Sequence, residues 1–184
     1  MMTTLDGFSV HVGIAGPEKG VVVVILGAEQ RAVSAYDAIC ERLHTASLRT
    51  VVIAADPRLT VKSVIGILDA LGIGWAVVVG DRDGAELAWE LAATRLGRFA
   101  GLVVIDRGHP AVAGADGAVR DDQCPPVEIG TTMLVSSPAA RSAARDSQRL
   151  VLSDYRVVDL AGRRNAQEST AQLATEIVLR TSAW

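Results

Sequence analysis

The stretch Val21-Val-Val-Val-Ile-Leu26 is a continuous apolar run with no polar alternation. A strand with one face in water alternates polar and apolar side chains; a strand covered on both faces does not have to. A membrane-spanning helix needs about 20 apolar residues, so this run reads as a buried strand. Arg49–Ala54, Trp75–Val79, Phe99–Ile105, Thr131–Val135 and Tyr155–Leu160 are further short runs of strand type, and Val10–Ile14 is a weak first strand. Helical patterns separate them. Arg31–Thr45 carries Val33, Tyr36, Ile39, Cys40 and Leu43 at helical spacing. Thr60 caps a helix to Leu71 with Val61, Val64, Ile65 and Leu68 on one face. Ala85–Leu96, Ala139–Arg149 and Gln167–Thr181 complete the set, the last turning Leu173, Ile177 and Val178 inward. Such alternation predicts an open, mostly parallel, doubly wound α/β sheet. Residues 107–130, with Pro110, Pro125 and Pro126 among small and polar residues, break the rhythm and predict an irregular excursion. No repeat or linker divides the chain, so a single domain over residues 1–184 is expected.

Composition narrows the function classes. Hydrophobic residues make up 49% and aromatic residues only 4%, so the core must be aliphatic. The net charge of -3, with no run of like charges, argues against nucleic acid or an anionic membrane as partner. Two cysteines, Cys40 and Cys124, cannot make a disulfide framework; reduced thiols in a cytoplasm are the simpler expectation. Residues 1–10 lack the basic and apolar segments of a secretory signal. Only Lys19 and Lys62 stand against sixteen arginines in an Ala-rich chain, a bias of GC-rich, actinobacterial-looking sequences.

In a parallel α/β sheet, ligands sit at the carboxyl ends of the strands. The loops of interest are therefore Gly27–Gln30, Gly80–Gly84, Asp106–Pro110, Ser136–Ala139 and Gly162–Asn165. The first has one glycine and an acid where a dinucleotide would place its pyrophosphate, and no Gly-Lys-Ser/Thr opens any helix. His11, His44 and His109 show no metal-ligand spacing with each other or the cysteines. No cofactor and no metal are expected. Each histidine is expected to be structural, with His109 the one to watch because it follows a strand end.

One segment carries chemistry. Trp75–Val79 runs into Gly80-Asp-Arg-Asp-Gly84 and then a helix that opens on small residues. A sharp strand-to-helix turn needs small neighbours, because its central residue is forced into a strained conformation. This resembles the nucleophile elbow of the α/β-hydrolase superfamily, Gly-x-nucleophile-x-Gly, and the resemblance covers nearly the whole chain. It implies an α/β-hydrolase-like sheet without a full cap domain, the excursion falling where many members insert a lid.

The resemblance also implies a triad, and the matching positions do not supply one. Arg82 stands at the nucleophile position, and a guanidinium stays protonated and cannot attack a carbonyl. The stretch after the penultimate strand, Ser136–Ala140, has Ala139 where an acid belongs. The loop after the last strand has Arg163 and Arg164 where the histidine belongs. Glu29 lies in the oxyanion loop, where a carboxylate would repel a developing oxyanion.

The expectation is a non-catalytic protein of this fold that binds a ligand or a partner or serves a structural or regulatory role. Arg82 would either pair with Glu29 or a neighbouring aspartate, or join Arg163 or Arg164 in holding a small anionic ligand. The alternative is a hydrolase of small-molecule esters or related bonds with an unconventional site, using Asp81 or Asp83 with Asp106 and His109. A homodimer through the Val10–Ile14 edge and Trp184, or a partner protein, would also fit the sequence.

Overall fold

The computed structural model describes residues 1–160 and 165–182. A short antiparallel hairpin, β1 (Met2–Thr3) with β2 (Ser9–Val10), opens the chain. The seven-stranded sheet follows: β3 (Val12–Ala15), β4 (Val22–Leu26), β5 (Arg49–Ile53), β6 (Ala76–Asp81), β7 (Phe99–Ile105), β8 (Gly130–Val135) and β9 (Tyr155–Asp159). Its spatial order is β3-β5-β4-β6-β7-β8-β9, with β3 antiparallel to β5 and every other neighbour parallel. This is the open, mostly parallel sheet that the uninterrupted apolar runs predict.

The helices are α1 (Asp37–Thr45), α2 (Val61–Ala70), α3 (Asp83–Thr94), α4 (Pro138–Ser147) and α5 (Ala166–Thr181). Two apolar clusters flank the sheet because successive strand residues face opposite ways. Val24, Leu26, Val51, Val78 and Leu102 point to the side covered by α2, α3 and α4. Val23, Ile25, Val52, Val79 and Val103 point to the side where α1 and α5 bring Leu43 and Ile177. Cys40 belongs to the second cluster and Cys124 to the first, so both are buried free thiols on opposite faces. Burial pushes the Cys124 thiol up to about 11.

Local chemistry fixes the helix ends. The Thr60 hydroxyl accepts from the Ser63 N–H while the Ser63 hydroxyl accepts from the Thr60 N–H, a reciprocal cap that contributes roughly 1 kcal/mol. Ser137 caps α4 through the Ala140 N–H, and Asn165 caps α5 through the Glu168 N–H. Helix α3 starts at Asp83, two residues before the expected Ala85. The first part of the expected Arg31–Thr45 helix is a short 3-10 turn, Val33–Tyr36. Residues 107–129 hold no helix or strand beyond one isolated bridge, Val127 to Val151. No described helix is long and apolar enough to cross a membrane.

Candidate functional site

The tip of β6 is a tight elbow. Arg82 has φ 48° and ψ −100°, a conformation that L-residues rarely adopt, and α3 begins at the next residue. Its neighbours make the turn sterically feasible. A Cβ on Gly80 would lie 2.3 Å from the Ala85 Cα, and one on Gly84 would lie 2.2 Å from the Leu26 carbonyl oxygen. Both obstacles are backbone, so only glycine lets α3 press this closely on β6 and β4. The Arg82 N–H donates to the Ile105 carbonyl at 3.2 Å, tying the elbow to β7. Arg82 itself stands at the tip, with Asp81 the last residue of β6 and Asp83 the first of α3.

Asp81 is 3% exposed and lies under the elbow. A carboxylate this deep needs hydrogen bonds and opposite charge nearby. The Tyr36 hydroxyl donates to its Oδ2 at 2.8 Å, and the guanidinium groups of Arg31 and Arg82 each approach within 3.5 Å. Burial and the neighbouring Asp81 charge push the Tyr36 phenol up to about 12. The Tyr36 oxygen also accepts from the Ala28 N–H at 2.8 Å. One hydroxyl therefore joins the loop after β4, the 3-10 turn and the end of β6.

Glu29 meets the elbow through its backbone. Its N–H donates to the Asp83 Oδ2 at 3.1 Å, while the ion pair of Arg82 is with Asp81. The geometric reason is local: Arg82 and Asp81 are adjacent on the turn, and the Glu29 amide is already aimed at the first residue of α3. The other oxygen of Asp83 lies 3.5 Å from the Arg107 guanidinium. The backbone amides of Ala28 and Glu29, in the loop after β4, thus both end on groups of this chain.

The remaining candidates make their hydrogen bonds within other loops. Asp106, at the end of β7, has φ 63°, and its carboxylate accepts from the Ser136 N–H at 2.7 Å and the Ser136 hydroxyl at 2.6 Å. His109 is fully buried. Its Nδ1 accepts from the Ala111 N–H at 3.1 Å, which leaves the proton on Nε2 to donate to the Pro125 carbonyl at 2.9 Å. The ring stands edge-on to Trp89 with centroids 5.4 Å apart. Burial lowers its pKa, favouring the neutral ring. Asp106 and His109 are therefore not brought together: each is committed to its own loop. Ala139 is exposed at the start of α4. Arg163, Arg164 and Trp184 lie outside the described residues.

Two clefts open at the carboxyl ends of the strands. One, of about 480 Å³, has apolar walls from Leu26, Ile53 and Leu87 and carries the carboxylates of Glu29, Asp83 and Glu90. The other, of about 550 Å³, is lined by Arg82, Asp106, Arg107, Ser136 and Ala139. Glu86 and Arg120 belong to both. Arg120 reaches in from the excursion, donating to Glu86 at 2.8 Å and to the Gly108 carbonyl at 3.1 Å. Among the described residues no group of three or more His, Cys, Asp or Glu side chains is placed to hold a metal ion.

Sequence reasoning missed Tyr36, Arg31, Arg107 and Arg120 as parts of this region. Tyr36 was legible only as one member of a helical face, because its partners lie 8 and 45 residues away.

Solved structures with the same architecture include a hydrolase from Pseudomonas aeruginosa, with TM-score 0.78 at 15% identity, the match covering 99% of this chain and 97% of the other. An epoxide hydrolase from Vigna radiata matches with TM-score 0.73 at 12% identity, over 97% and 96% of the two chains. A protein described for recognition and ring-cleavage of the Pseudomonas quinolone signal matches with TM-score 0.68 at 18% identity, over 96% and 99%. No family model matches the sequence, and no curated protein matches it. At these identities the likeness establishes the fold: the chain has the α/β-hydrolase fold.

Proposed function

We propose that this is a non-catalytic protein of the α/β-hydrolase fold, whose cleft binds a ligand or partner without turning it over. The observation that carries the reading is Arg82 at the strained tip of the elbow. In a hydrolase of this fold that position presents the attacking atom, and a guanidinium is not a nucleophile at ordinary pH. The surroundings support the same reading. Asp81 is buried beneath Tyr36 and two arginines, and both oxygens of Asp106 serve Ser136. The His109 ring has both nitrogens engaged, so it offers no base to a substrate in either cleft.

The second reading, a hydrolase using an aspartate beside the tip, is favoured by one observation: Asp83 borders the acidic cleft and is partly exposed. Two assays separate the readings. Hydrolysis of p-nitrophenyl acetate and of a small epoxide is measured for the wild type, Arg82→Ala and Asp83→Asn. Rates equal to buffer in all three support the non-catalytic reading. Hydrolysis abolished by Asp83→Asn and untouched by Arg82→Ala overturns it.

A further inference from the structure

The carboxylate of Asp83 is held as a ligand would be. Its Oδ2 accepts from the backbone N–H of Glu29 at 3.1 Å, and its Oδ1 faces the Arg107 Nη2 at 3.5 Å. The amide belongs to the loop after β4, the guanidinium to the loop after β7, and the carboxylate to the first turn of α3. Three separate segments therefore converge on one carboxylate, with a hydrogen bond to one oxygen and a longer ion pair to the other. An N–H and an arginine aimed at the two oxygens of a carboxylate are the groups that recognise such an anion from outside. The neighbouring amide, that of Ala28, is already taken by the Tyr36 hydroxyl, so Glu29 is the amide in this loop that is given to a negative charge.

We infer that the Glu29 N–H and the Arg107 guanidinium form a carboxylate-binding site that the protein fills in cis with Asp83. The ligand class is a small monocarboxylate, which competes with Asp83 for the two donors and binds once that side chain is shortened. Arg107 is anchored for this task. Its backbone carbonyl accepts from the Trp89 indole N–H at 2.8 Å, and its Nε lies 3.5 Å from Glu86, so the guanidinium stays beside the site when the internal carboxylate is gone. The inference adds a ligand class to the non-catalytic reading, and its test reads binding and not turnover, so either can fail without the other.

The test is an acetate titration of the full chain against sodium chloride of matched ionic strength. In Asp83→Ala, acetate raises the Tm saturably by about 3 °C at ten times its Kd beyond the chloride control. The Glu29 amide resonance shifts along the same curve. Wild type shows neither effect, because the site is filled. The double variant Asp83→Ala/Arg107→Ala loses both. Asp83→Ser keeps a side chain suited to a helix start and runs the same titration should Asp83→Ala fail to fold. An acetate response in the shortened variants no larger than in wild type overturns the inference. A response that survives the loss of Arg107 overturns it as well.

Discussion

The ends of β6 and β7 each carry a non-glycine residue at positive φ, and the two are held there differently. Asp106, with φ 63°, compensates its backbone with its own side chain: both carboxylate oxygens take hydrogen bonds from Ser136 on the neighbouring strand end. Aspartate is also among the few residues that tolerate this region. Arg82, with φ 48°, has neither advantage. Its side chain is 44% exposed and reaches Asp81 only at 3.5 Å. What holds it is the packing of Gly80 against Ala85 and of Gly84 against Leu26. One turn is stabilised by its central residue, the other is imposed on its central residue by the neighbours. An imposed turn does not depend on which residue stands at its tip.

The glycines carry the largest expected effect. Gly84→Ala drives a Cβ into the Leu26 carbonyl and Gly80→Ala into the Ala85 backbone, so each should cost about 3 kcal/mol by urea unfolding. A loss under about 1 kcal/mol for both would mean that packing does not hold the elbow. Next comes Asp106→Ala, which orphans the Ser136 donors and leaves an alanine at positive φ; a loss of about 2 kcal/mol is expected from the same measurement. Arg82→Gly is expected to go the other way. Glycine relieves the strained backbone, and the surrendered ion pair is half-exposed and weak, so the variant should be between unchanged and about 1 kcal/mol more stable. Asp106→Gly should still be destabilising because it loses the Ser136 bonds. A stability loss above about 1 kcal/mol for Arg82→Gly would show that the arginine holds its own turn.

The smallest effect concerns pH. His109 is buried beside the β7 loop, and burial lowers its folded pKa below the free value of about 6.5. Between the two values the unfolded chain binds a proton that the folded chain refuses. Its effect is therefore a stability loss that sets in as pH falls below about 6.5 and stops growing once pH passes the folded value. His109→Gln is less stable than wild type at pH 7.5. Its Tm should fall less than that of wild type between pH 7 and 5, so the gap narrows as pH drops. A gap of constant width would show that His109 titrates equally in both states.

Much of the fold was legible because it rests on local pattern. Phe99–Ile105 is a strand with the expected ends, Thr60 caps its helix, and the elbow falls between Gly80 and Gly84, since close backbone approach is written in small residues. The antiparallel β3 edge was not legible in its direction, because a strand of four residues carries no sign of which neighbour it will pair with. The two-residue strands β1 and β2 have no period at all. The candidate site was legible in its centre and not in its wiring. Arg82 could be placed from spacing alone. The bridge from Tyr36 to Asp81 and Ala28 and the contact of Asp83 with Glu29, 54 residues away, are set by how three loops meet at the sheet edge. His109 drew notice because it follows a strand end. Its burial depends on Trp89, Ala111 and Pro125, and no spacing rule ties these together.

On the proposed reading the elbow keeps its shape and presents no nucleophile. Intact-mass spectrometry after exposure to p-nitrophenyl acetate or a small epoxide reads this out, since a carboxylate nucleophile beside the tip would carry the opened epoxide as a covalent ester, or the acetyl group as a mixed anhydride with p-nitrophenolate released. The expected result is an unmodified mass, with both probes consumed at the buffer rate. A stoichiometric adduct that maps to Asp81 or Asp83 would overturn the non-catalytic reading.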